Sequence, residues 1–195
     1  MKKIIISVLI IVIAFLVLLL FIKRYVNKTT IPSIPEVSKN LTPNEKNSSV
    51  SMDSPDGKAT LTMKTTTDKN SITYFFSTSN LIYTKITTKD DVFSIPFNTW
   101  SPDKKYVFLK ETKGSTTNFL LLNATGAPFK DNSQFINVSD VFAQKLPIYT
   151  LTDTTGWAAG TLLIINTNKA DGSEGPSFWF DLSSSTFIQL SNRFN

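Results

Sequence analysis

The hydrophobic pattern divides the chain into three stretches that obey different rules. Residues 4–22 carry no charge, no Gly and no Pro, and Ser7 is their only hydroxyl. A helix rises about 1.5 Å per residue and the hydrocarbon core of a bilayer is about 30 Å thick, so roughly 20 apolar residues cross it. The run is nineteen residues long. Because backbone polar groups in lipid must pair within the segment, a single short span is helical. The pattern predicts a transmembrane helix over 4–22 behind a three-residue tail, 1–3. From 23 to 51 a basic flank gives way to Pro32, Pro35 and Pro43 among Thr, Ser, Asn, Glu and Lys. Such a composition buries too little apolar surface to offset ordering entropy, and it reads as a semi-extended tether.

From Met52 onward the apolar positions come in short runs rich in Thr, Ile, Val, Phe and Tyr, punctuated by Asp, Asn, Gly and Pro. That is strand-and-turn chemistry. Strands are expected over 58–65, 71–77, 81–87, 92–97, 106–111, 118–123, 148–152, 161–167, 177–182 and 186–191. One helix is expected over 138–145, with Ser139 as its cap. The fold class is all-β, with the N-terminal transmembrane helix added.

Two of the turns resemble each other. Ser54-Pro55-Asp56-Gly57-Lys58 is matched forty-seven residues later by Ser101-Pro102-Asp103-Lys104, preceded by Trp100. In each, Pro fixes φ and Asp accepts a bond from a nearby backbone N–H, so the segment turns tightly and launches a strand. A third opening, Gly156-Trp157, keeps the Trp without the Pro-Asp pair. Units near 54–88, 100–131 and 156–191 follow. A Trp-Ser-Pro-Asp turn, an apolar strand, then a strand ending in a polar turn is similar to the blades of TolB-like β-propellers. The resemblance implies blade-like antiparallel meanders. Propellers close with about 4 to 8 blades, whereas this stretch supplies three, so the resemblance is to a partial propeller with open terminal faces. On such a face, Trp179 is a candidate partner surface.

Charge sharpens the picture. The net charge is +5, and residues 1–50 hold seven Lys/Arg against two acids, so the surplus flanks the apolar run and the β domain is neutral. That placement suits anionic head groups and speaks against nucleic acid. A cleaved signal peptide is the competing reading. An apolar core of about 7 to 15 residues and a small-residue cleavage site are its marks, and this run is longer and exits through Phe21, Ile22, Lys23 and Arg24. An uncleaved anchor with the β domain outside the cell is expected.

The chain has no Cys and no His, which removes thiol nucleophiles, His relays and the usual zinc ligand sets. Asp90 and Asp91 are neighbours whose side chains diverge on a strand, and Asp171 to Gly175 lacks the ligand spacing of a calcium loop. No catalytic, metal or cofactor residue is expected. The sequence reads as a membrane-anchored envelope protein whose non-catalytic β domain binds a protein partner or self-associates through open blade faces. The alternatives are a structural spacer and a degenerate propeller associated with a hydrolase.

Overall fold

A computed structural model describes residues 47–191 and 193–194. The tail, the apolar run 4–22 and most of the tether lie outside the described residues. Among the described residues no helix is long and apolar enough to cross a membrane.

Among the described residues twelve strands and one helix follow one another as β1 (Asn47–Asp53), β2 (Thr60–Thr67), β3 (Ile72–Ser77), β4 (Leu81–Thr87), β5 (Asp91–Ser94), β6 (Tyr106–Lys113), β7 (Thr116–Asn123), β8 (Phe135–Asn137), α1 (Val138–Lys145), β9 (Tyr149–Ala159), β10 (Leu162–Lys169), β11 (Phe178–Asp181) and β12 (Thr186–Gln189). They form three four-stranded antiparallel sheets, each a run of four consecutive strands: β1 to β4 in sheet A, β5 to β8 in sheet B, β9 to β12 in sheet C.

Sheet B lies between the other two. Val107, Leu109, Leu120 and Leu122 of one face join Leu61, Met63, Tyr74 and Phe76 of sheet A in one core. Phe108, Phe119 and Leu121 of the other face join Leu163, Ile165, Phe178 and Phe180 of sheet C, with Val138 and Phe142 of α1, in a second. Double burial explains why 119–122 is an unbroken apolar run, since neither side of that stretch of β7 meets water. In β10 only Leu163 and Ile165 of the run 162–165 are fully buried, and Leu162 and Ile164 are half-buried on the far side. That alternation marks a sheet packed on one face.

Three expectations are corrected. Strand pairing begins at Asn47, inside the stretch read as tether, with Ser51 opposite Thr62 and Met52 opposite Leu61. β1 reads as polar because it is an edge strand whose side chains are almost all exposed. The Ser-Pro-Asp turns do not open the units but join the first strand to the second in sheets A and B, so the units start one strand earlier, at Asn47, Asp91 and Tyr149. Finally, α1 forms over the expected residues, but its cap is Asn137, whose side chain accepts from Ser139 N and Asp140 N. The Ser139 hydroxyl instead accepts from the Phe119 N–H at 3.1 Å and ties the helix to β7.

Candidate functional site: the repeated turns and the crevice where three sheets meet

The two Ser-Pro-Asp turns share one hydrogen-bond network. Ser54 Oγ donates to Asp56 Oδ1 at 2.8 Å, Asp56 Oδ1 accepts from Lys58 N at 3.2 Å, and Ser54 Oγ accepts from Ala59 N at 3.0 Å. One unit later Ser101 Oγ donates to Asp103 Oδ1 at 2.8 Å, Asp103 Oδ1 accepts from Lys105 N at 3.2 Å, and Ser101 Oγ accepts from Tyr106 N at 3.0 Å. The fourth turn residue is left-handed in both, Gly57 with φ 66° and Lys104 with φ 61°. Glycine takes that conformation freely, while Lys104 is held there by the network and by its ammonium, which donates to Asp56 Oδ2 at 2.6 Å. The Lys104 ammonium, then the Ser54 hydroxyl, drive the Asp56 carboxyl far below the ordinary carboxylate range. Partial burial of Asp103 works the other way, but the Ser101 hydroxyl and the Lys105 N–H outweigh it, and that carboxyl is lowered too. Both carboxylates are taken up by hydrogen bonds within their turns.

The tryptophans join the units. Trp100 Nε1 donates to the Met52 carbonyl at 3.0 Å and Trp157 Nε1 to the Thr99 carbonyl at 3.1 Å. Met52 and Thr99 each stand two residues before a turn serine, so a sheet reaches back to the same backbone place in the sheet before it. Trp100 is opposite Val107 and Trp157 opposite Leu163, which fixes the register match. Gly156 then occupies in sheet C the place of Met52 and Thr99. No third turn of the Ser-Pro-Asp kind forms there, because 158–161 offers Ala, Ala, Gly and Thr. Gly160 instead passes close to the previous turn, where an added Cβ would sit 3.1 Å from the Asp103 carboxylate.

These elements meet at a crevice of about 460 Å³ lined by Met52 and Pro55 of sheet A, Phe97 and Trp100 of the β5–β6 connection, and Trp157 and Ile164 of sheet C. Asn98 closes one wall by donating to the Thr155 carbonyl at 3.0 Å. Phe97 is 81% exposed, the most exposed large apolar side chain described. The strand expected over 92–97 falls short of Phe97, since β5 stops at Ser94. The readable signal was Pro96, which cannot donate to a ladder and ends the strand.

No family model matches the chain. No curated protein and no solved structure matches it either.

Of the residues singled out in sequence, the crevice gathers Pro55, Trp100, Pro102, Gly156 and Trp157. Ser54, Asp56, Ser101, Asp103 and Lys104 form the turns around it, and Gly57 and Lys58 complete the first turn. Trp179 stands elsewhere, on the far face of sheet C, half-buried beside Ile164 and Ile188 in register. Among the described residues no three acidic side chains converge as a metal-ligating group.

Proposed function

We propose that this chain is a membrane-anchored envelope protein whose β domain is a non-catalytic binding module, built as a partial TolB-like propeller of three blades. The apolar run 4–22 supports the anchor, and the basic flank supports its seat against anionic lipid. Three consecutive meanders of four strands, linked by matching turns and matching Trp bonds, support the blade reading.

The observation that carries the binding function is Phe97. A ring 81% exposed at the mouth of a crevice shared by all three sheets costs solubility unless a partner covers it. Aromatic residues beside a concave surface are the usual anchors of protein recognition. Site-specific photo-cross-linking in intact membranes tests this reading. A photoreactive residue at Phe97 is expected to give a discrete adduct with another protein, while one at Lys64, on the far face of sheet A, gives none. Equal labelling at both positions, or none at either, overturns it.

A further inference from the structure

The three sheets form a directional series, and its two ends differ. In sheet A the face away from sheet B carries Ser51, Thr62, Lys64, Thr73, Ser77 and Thr84, with Phe75, Leu81 and Ile86 as its apolar members. Asp53 stands where the later units place Trp100 and Trp157, and it accepts from the Thr60 hydroxyl. The first sheet therefore lacks the donor half of the joint, and Thr60, Thr62 and Ser77 stand where sheets B and C carry their apolar donor row.

Sheet C ends the series differently. In the shared register Ile164 occupies the place of Leu61 and Phe108, opposite Gly156 as those are opposite Met52 and Thr99. Leu61 and Phe108 are fully buried against the next sheet. Around Ile164 an apolar row crosses all four strands: Gly156, Ile164, Trp179 and Ile188 stand opposite one another in turn. Ile188 is 46% exposed. The row runs into the crevice through Ile164, so it continues the joints already made between A and B and between B and C.

We infer that the far face of sheet C is the acceptor half of one more joint, filled by a four-stranded β unit of a different polypeptide that presents a tryptophan to the Gly156 carbonyl. A second copy of this chain does not fit, because among the described residues the free face of the required direction is that of sheet A, which has Asp53 for tryptophan and Thr60, Thr62 and Ser77 for the apolar row. This inference rests on the binding-module reading and specifies the partner's chemistry.

The test uses the full chain in detergent with a second copy of residues 138–191 joined after residue 195 by a short Gly/Ser link. That copy brings α1, the apolar face that already packs on a sheet, and a tryptophan in the donor place. Amide exchange at Ile164, Trp179 and Ile188 is expected to slow at least tenfold, and the effect is lost when the appended copy alone carries Trp157→Phe with Leu163→Lys. Unchanged exchange, or an appended unit that stays unfolded while the parent folds, overturns the inference. So does a parent chain that sediments as a dimer with those amides already protected, which assigns the face to a second copy. An adduct at Phe97 alongside a failed graft leaves the binding module standing and removes only this joint.

Discussion

The indole N–H of Trp157 donates to the carbonyl of Thr99, one unit further along than the bond from Trp100 to Met52, and at nearly the same distance. A repeated bond between sheets makes each tryptophan a fastener as well as a core side chain. Trp100 is almost fully buried, whereas Trp179 lies half-buried on an end face. Trp100→Ala is expected to cost about 3–5 kcal/mol, in the range of buried aromatic truncations, and Trp100→Phe roughly 1 kcal/mol for the lost hydrogen bond plus what the smaller ring gives up in packing. Trp179→Phe is expected to change stability by less than about 1 kcal/mol, since Nε1 has no partner among the described residues. Denaturant unfolding of the three variants checks the order.

The turn aspartates make stability depend on pH in a definite direction. Asp56 and Asp103 have carboxyls depressed below their ordinary value of 3.8 in the folded chain. A group depressed on folding contributes stability that is present above its unfolded pKa and lost as pH falls through the folded one. The domain is expected to hold steady near neutral pH and to weaken progressively from about pH 4 downward. Asp103→Asn, which removes one such group, is expected to lower stability at pH 7 and to flatten the acid limb in thermal scans from pH 7 to pH 2.

Two glycines with positive φ separate backbone strain from crowding. Gly57 has φ 66° and open space where a Cβ would stand, while Gly126 has φ 77° and would place a Cβ 3.1 Å from the Ile82 Cα. Gly57→Ala is expected to cost about 1 kcal/mol, the left-handed penalty alone. Gly126→Ala adds a clash with the backbone of β4, and is expected to cost at least about twice as much, because a packed strand cannot retreat as a side-chain tip can. Melting temperatures of the two variants check the ratio.

The parts of the fold that were legible in the sequence are those whose side chains report their surroundings. The run 119–122 announces a strand buried on both faces, and 81–87 is a strand with the bounds the sequence suggests. β1 escaped because an exposed edge strand is held by its backbone ladder, and its Asn, Ser and Ser carry no apolar signal. β8 escaped for another reason, since three residues are too few to show any period. The Trp-Ser-Pro-Asp motif was visible, but its place between first and second strands was not, because a turn looks alike whether it opens a unit or lies within it. The crevice depends on Phe97 and Ile164, which are 67 residues apart in the chain. Nothing in their local pattern brings them together.

The anchor is tested by fractionation. The proposed span 4–22 predicts that the chain stays in the membrane pellet after alkaline carbonate extraction and is released by detergent. Recovery of a mature chain in the aqueous fraction, beginning beyond Tyr25, contradicts it.

The central claim is that the three sheets are successive copies of one unit fastened by one kind of bond. Residue-resolved exchange of the three indole N–H groups measures this most directly, with the resonances assigned from single Trp→Phe variants. The claim predicts that the Trp100 and Trp157 indoles exchange only with global unfolding of the domain. If either exchanges at the rate of an open, solvent-facing indole while the sheets remain folded, the shared joint does not exist.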